Sequence, residues 1–97
     1  MFTRTNELIK KYGLIHEISE IDGAIYYKIC GFKECPTDTI VISYDPMYTS
    51  EQKLAAMVIY DNTLQEAKMF DNITLLNDWF EAVCIGDDRY VYADEEK

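Results

Sequence analysis

Short β-rich runs separated by turn residues occupy the middle of this chain. Ile15–Ile21 and Ala24–Cys30 are rich in isoleucine and tyrosine, and only Asp22 and Gly23 lie between them. An Asp-Gly pair between two such runs is the strongest short-range signal for a β-hairpin. The pattern therefore predicts two antiparallel strands with a tight connection.

A third strand is predicted from Thr39–Tyr44, where β-branched and aromatic residues follow one another. Such residues are enriched in strands. The run is bounded by the turn-rich segment Gly31–Asp38 and by Asp45-Pro46, which fits a strand that starts and stops at turns.

The next segment, 49–60, is compatible with a helix capped by Thr49 or Ser50, or with a strand that includes Met57–Tyr60. Asp61–Thr63 is turn-like, and Leu64–Phe70 has the composition of a partner strand. A hairpin accounts for both this segment and Leu64–Phe70, so we predict a strand and not a helix before Asp61.

A short helix is predicted near the N-terminus. Thr5 is a suitable capping residue, lysines occupy the last turn, and Gly13 follows directly after Tyr12. Leu8, Ile9 and Tyr12 would form the buried stripe of this helix.

The clearest helical pattern is Ile73–Cys84, which Asp71 or Asn72 would cap and Gly86 would end. Its apolar residues recur at helical spacing. The predicted core stripe consists of Ile73, Leu76, Phe80 and Val83, flanked by Trp79 and Cys84. The predicted opposite face carries Asn77, Asp78 and Glu81.

These elements predict an α+β fold, in which an antiparallel β-meander of about five strands has a short N-terminal helix and a C-terminal helix packed on the sheet. Arg89–Ala93 could add a last short strand. A chain of 97 residues buries roughly 60–65% of its unfolded surface. We therefore expect residues 1–97 to form a single domain.

Charge narrows the range of partners. The chain has 18 acidic and 9 basic residues, a net charge of −9, and an isoelectric point near 4.4. Residues 1–33 contain four acids and five bases, whereas residues 34–97 contain fourteen acids and four bases. Such a field repels nucleic acids and membrane surfaces and attracts basic protein surfaces.

A cytoplasmic location is expected. Met1–Glu7 lacks the basic start and apolar stretch of a secretory signal. The longest apolar run, Leu54–Tyr60, covers about a third of the roughly 20 residues that a transmembrane helix needs. The odd set of cysteines, Cys30, Cys35 and Cys84, favours reduced thiols over a disulfide framework.

The sequence predicts no catalytic site, metal or cofactor. His16 and the three cysteines are ligand types that zinc accepts, but their spacing differs from the paired ligands of structural zinc sites. Nothing in the sequence places a cysteine beside the histidine for nucleophilic catalysis. Four scattered glycines form no phosphate-binding loop, and the tyrosines lack the positive groove that stacking on single-stranded nucleic acid requires.

The candidate partner-binding surface is therefore the acidic C-terminal region. Its carboxylates could be a solvated face that maintains solubility, or they could imitate nucleic-acid phosphates and occupy a Lys/Arg groove. Neighbouring tyrosines suit a protein interface. The predicted partner-binding residues are Asp78, Glu81, Asp87, Asp88, Tyr90, Tyr92, Asp94 and Glu95.

In length, net charge and acidic patches such as Asp87-Asp88 and Asp94–Glu96, the chain resembles small acidic inhibitors from phages and mobile elements, among them anti-CRISPR proteins that mimic DNA. The resemblance implies an inhibitor of a nucleic-acid-binding protein, such as a CRISPR or other host-defence nuclease. The alternative is an immunity or regulatory interaction module, including a homodimer that joins strand to strand at a sheet edge.

Overall fold

The computed structural model describes residues 1–33 and 36–86. The helices are α1 (Thr3–Lys11) and α2 (Ile73–Cys84), and the strands are β1 (Ile15–Ile21), β2 (Ala24–Cys30), β3 (Asp38–Tyr44), β4 (Leu54–Tyr60) and β5 (Thr63–Phe70). The strands form one antiparallel sheet in the order β1-β2-β3-β4-β5. The predicted α+β meander with a helix at each end is confirmed, while the predicted strand Arg89–Ala93 lies outside the described residues.

Both tight hairpins turn through two residues with positive φ. Asp22 and Gly23 have φ values of 51° and 84°, and Asp61 and Asn62 have values of 51° and 60°. A type I′ turn requires positive φ at both central residues, and its twist matches that of the adjoining strands. The first hairpin is confirmed with its predicted bounds, and the second establishes Leu54–Tyr60 as strand.

One face of the sheet is buried beneath the helices. The strand register aligns Tyr27 with Ile42 and Ala56 in one row across the sheet. The next row, Ile29, Ile40 and Val58, is 0%, 0% and 3% exposed. These rows pack against apolar residues from both helices to form one core.

The sequence pattern of α2 is confirmed in its bounds, cap and core stripe. The Asn72 side chain accepts a hydrogen bond from the Leu75 amide at 2.9 Å, and Leu76, Phe80 and Val83 are buried. Asn77, which was expected on the solvent face, is buried instead. Its position is explained by α1, which packs against this side of α2.

The predicted capping role of Thr5 is wrong. Helix α1 begins at Thr3, with Phe2 in the N-cap position and no side-chain capping bond. Thr5 lies within the helix, fully buried, and its hydroxyl donates to Asn77 Oδ1 at 2.7 Å. Thr5 therefore bonds to a buried residue of α2 and does not cap α1.

No helix within the described ranges is long and apolar enough to cross a membrane.

The two adjacent leucines of α2 offer a test of the core. Leu76 is 0% exposed and Leu75 is 46% exposed. We expect Leu76→Ala to lower the free energy of unfolding by about 2–5 kcal/mol because it leaves a cavity. Leu75→Ala should change it by less than about 0.5 kcal/mol. Urea denaturation followed by circular dichroism measures both, and equal losses would contradict the packing described.

Candidate functional site: an acidic rim

Two of the residues predicted to bind a partner, Asp78 and Glu81, lie one turn apart on α2. Six lie outside the described residues, and their role stays a prediction. These six are Asp87, Asp88, Tyr90, Tyr92, Asp94 and Glu95.

Asp78 and Glu81 each form an ion pair with Arg4 of α1 and so link the two helices at their surface. The Arg4 guanidinium donates to Asp78 Oδ1 at 2.8 Å and to Glu81 Oε1 at 2.9 Å. The pKa of Arg4 is raised, chiefly by the hydrogen bond to Asp78. All three side chains are about half exposed, so each ion pair contributes little to stability. The pairing nevertheless offsets much of the negative charge that this part of α2 would offer a partner.

A second acidic surface, which the sequence did not reveal, lies at the end of the sheet where β1, β3 and β5 finish. The register places Ile21 opposite Ala24, and it aligns Tyr44 with Leu54 and Phe70 at this same end. Acids from the end of β1 and from the adjoining turns and loop are thereby brought to one edge. We call this edge the acidic rim, and it consists of Glu20, Asp22, Asp45, Glu51 and Asp71.

Hydrogen bonds connect the segments that form the rim. Gln52 Nε2 donates to Asp71 Oδ1 at 2.7 Å and so joins the β3–β4 loop to the end of β5. The Asp45 amide donates to the Lys53 carbonyl at 2.9 Å and closes the same loop. The rim is therefore attached to the sheet at several points.

Positive charge at the rim is scarce. Lys53 is the one basic residue that the described chain places there, and its Nζ donates to the backbone carbonyls of Tyr48 and Ser50. This lysine therefore stabilises the loop. The other end of the sheet is mixed in sign, because the segments that meet there contain Lys10, Lys11 and Lys33 as well as Asp38 and Asp61.

An open groove of about 230 Å³ lies within the rim, between the β1–β2 turn and the β3–β4 loop. Carboxylates, an aromatic ring and apolar side chains share its lining. The lining residues are Ile21, Asp22, Ala24, Tyr26, Asp45 and Met47.

Asp45 is held in its charged form on one side of this groove. Its carboxylate accepts hydrogen bonds from the Tyr26 hydroxyl and from the Met47 amide, the latter at 2.9 Å. The bond from Tyr26 is the main reason that the pKa of Asp45 is lowered, and the same bond raises the pKa of Tyr26 to about 12. At neutral pH the groove therefore presents a fixed carboxylate beside a fixed, protonated phenol.

This arrangement suits the side chain of an arginine or lysine. The methylene groups of such a side chain pack on apolar walls such as Met47 while the charged end reaches a carboxylate. Asp22 and Asp45 supply carboxylates, and the Tyr26 ring can add a cation–π contact. The groove thus has the chemistry to bind a basic side chain of a partner protein.

The described thiols and histidine do not come together. Burial, and next to it the Glu81 carboxylate, raises the pKa of the Cys84 thiol to about 12, so it stays protonated and unreactive. The His16 ring stacks on Tyr27 with ring centroids 6.4 Å apart. Within the described ranges, no group of three or more His, Cys, Asp or Glu residues is arranged to hold a metal ion. Cys35 lies outside those ranges.

Comparison with protein-family models, curated proteins and solved structures gives no match. The function must therefore be inferred from the residues and their geometry.

The Tyr26–Asp45 pair can be checked by titration. In Asp45→Asn, the pKa of Tyr26 should fall from about 12 toward the ordinary value of about 10, because the neighbouring negative charge is gone. Alkaline titration of tyrosine absorbance measures the change, and Tyr26→Phe identifies which part of the curve belongs to Tyr26. An unchanged curve in Asp45→Asn would show that the carboxylate does not control this phenol.

Proposed function

We propose that this protein is a non-enzymatic inhibitor that binds the basic surface of a nucleic-acid-binding protein, such as a CRISPR or other host-defence nuclease. The acidic rim and its groove are the observation that supports this function best. In this proposal the protein occupies the surface that nucleic acid would otherwise contact.

The length of the rim suits nucleic-acid mimicry. Neighbouring strands lie about 4.8 Å apart, so a rim that runs from the β1–β2 turn to the end of β5 extends for roughly 20 Å. On one nucleic-acid strand, with about 3.4 Å of axial rise per phosphate, that distance spans on the order of five or six phosphates. A row of carboxylates of this length offers a Lys/Arg surface several contacts at once.

The groove adds a localised contact for one basic side chain, which a row of surface carboxylates alone does not provide. A basic side chain that enters it leaves bulk water and meets a carboxylate that is already oriented by Tyr26 and Met47. Hydrogen bonds between charged groups are about twice as strong as neutral ones. The groove therefore supports a defined anchor point for the partner.

The C-terminal residues belong to the same proposal. Residues 87–97 contain five acids and two bases, so they increase the negative charge available to a basic partner. The predicted contacts through Asp87, Asp88, Asp94 and Glu95, with Tyr90 and Tyr92, would extend the binding surface beyond the rim.

A regulatory or immunity-type interaction module is a second candidate, and a different observation favours it. All seven residues of the edge strand β1 are exposed. An uncovered edge of this kind can pair with a strand of another chain.

Charge removal at the rim tests the proposed inhibitor. In the triple variant Asp22→Asn, Glu51→Gln, Asp71→Asn, we expect binding of the basic partner to weaken by about tenfold or more, at roughly 0.5–1 kcal/mol per charge. The tagged protein is used to capture partners from a cell lysate at low salt. Retention is then measured at high salt and in the presence of duplex DNA as a competitor.

A matched control keeps the same change in charge but places it elsewhere. Glu7→Gln, Asp61→Asn and Leu64→Lys change exposed positions outside both the rim and β1, and this triple variant should retain nearly full binding. Exposed charge attraction is screened by salt. A partner that stays bound undiminished at high salt, or that the rim variant captures as well as the control does, would refute the proposal.

A further inference from the structure

Strand β1 contributes no buried side chain to the fold. It pairs with β2 along its whole length, yet each of its seven residues is exposed. Three of them are isoleucines, with Ile15 65%, Ile18 48% and Ile21 61% exposed. Three large apolar side chains on one uncovered strand indicate a surface that becomes buried in an assembly.

The opposite edge of the sheet is protected, which makes the exposure of β1 more significant. Natural proteins block edge strands with bulges, lysines and inward-pointing charges. The β4–β5 pairing contains a register shift at Val58/Ile59. On β5, Lys68 and Glu66 form an ion pair at 3.4 Å and are 28% and 16% exposed. β1 has no lysine or proline, and its pairing with β2 runs without a shift.

The hairpin geometry determines which backbone groups of β1 face outward. In a two-residue turn the flanking residues, here Ile21 and Ala24, exchange hydrogen bonds. Hydrogen-bonded pairs alternate along an antiparallel ladder. The backbone groups of residues 15, 17, 19 and 21 therefore point toward β2, and those of His16, Ile18 and Glu20 point away from the sheet.

The order of residues in β1 is complementary to itself. When two copies pair antiparallel about Ile18, the outward-facing groups of His16 meet those of the partner's Glu20, and Ile18 meets the partner's Ile18. On the other face of the sheet, Ile15 lies opposite the partner's Ile21. Apolar residues then face apolar residues, and a histidine faces a carboxylate.

We propose that β1 is a self-association edge, where a second copy of this chain pairs with it antiparallel in the register centred on Ile18. The two sheets join into one continuous sheet of ten strands. The two-fold axis passes between the two Ile18 residues and is perpendicular to the sheet, so the helices of both copies lie on the same face.

Neighbouring registers are less favourable. A shift centred on Glu17 places two identical carboxylates directly opposite each other, and like charges in that position destabilise a strand pair. A shift centred on Ser19 places Ile18 opposite the partner's Glu20. In registers displaced by one residue, the outward-facing backbone groups of one copy would lie opposite backbone groups of the other copy that are already hydrogen-bonded to its own β2. The Ile18 register alone uses all seven residues of the strand.

The dimer interface shares Glu20 with the acidic rim and Ile21 with its groove, while the other rim acids, Asp22, Asp45, Glu51 and Asp71, lie outside β1. The rim lies at the ends of the strands and β1 pairs along its side, so the two-fold axis places one rim at each end of the joined sheet. A single pair of strands makes a small interface, for which we expect a dissociation constant of about 10–100 µM.

Lysine substitutions at the two edges provide the main test. Ile18→Lys sets two ammonium groups opposite each other on the two-fold axis, and we expect it to weaken self-association by at least about tenfold. Leu64→Lys makes a comparable change at a 56% exposed residue of β5 and should leave the dimer intact. Sedimentation velocity over a concentration series measures association, and circular dichroism verifies that both variants fold.

A pair of compensating substitutions tests the register. Ile15→Lys alone should weaken the dimer by about tenfold, because it sets a charge opposite the partner's Ile21. Adding Ile21→Glu sets lysine opposite glutamate at both ends of the interface and should recover most of the lost affinity. Neither neighbouring register brings positions 15 and 21 together.

Three results would overturn the proposal. One is a wild-type protein that stays monomeric up to about 1 mM, which would leave the edge for a strand of a different protein. Another is a dimer that survives Ile18→Lys. The third is a dimer that Leu64→Lys disrupts instead. The rim variant Asp22→Asn, Glu51→Gln, Asp71→Asn leaves every residue of β1 unchanged, so partner binding by the rim and self-association through β1 are tested separately.

Discussion

The burial of the sheet depends on a contact between the two ends of the described chain. Helix α1 precedes the sheet and α2 follows it, and both must lie on the same face to cover the core. Thr5 and Asn77 meet between them in a fully buried hydrogen bond. An unmade bond there would leave two polar groups desolvated, which costs more than an ordinary hydrogen bond contributes. This buried contact therefore favours one placement of the helices side by side over the alternatives that leave it unmade.

Signals within a few residues of one another predicted most of the fold. Asp22-Gly23 defined the first hairpin, and Asn72 with Gly86 defined the bounds of α2. Local pattern gave the wrong answer at Thr5, predicted to cap α1, and at Asn77, predicted to face solvent. A polar residue in such a position indicates a cap or a solvent-facing site unless a buried partner exists. Here the partners are separated by 72 residues, a relation that no local window contains.

Because local sequence patterns contain only neighbouring residues, the sequence pointed to the acidic C-terminal region and not to the rim. Contiguous acids such as Asp87-Asp88 are visible in a sequence, whereas the rim consists of acids separated by long stretches of chain, from Glu20 to Asp71. The strand bounds and the meander order together imply that these residues share one edge. Arg4 has the opposite effect, since its single positive charge, from a distant segment, offsets one of the two negative charges of Asp78 and Glu81 and so reduces a patch that is prominent in the sequence.

The rim gathers more negative than positive charge at one edge of the sheet. The pKa of Asp45 is lowered chiefly by the hydrogen bond from Tyr26 and also by Lys53. Lys53 is the basic residue within the described part of the rim, and its Nζ donates to the backbone carbonyls of Tyr48 and Ser50. The same chain pairs Arg4 with two acids on α2, so it does balance charge where the helices must hold together. Departures from local balance that serve no structural role are expected at functional sites. On that physical basis we propose that the unbalanced edge, more than the larger total of acidic residues, is the surface for a basic partner.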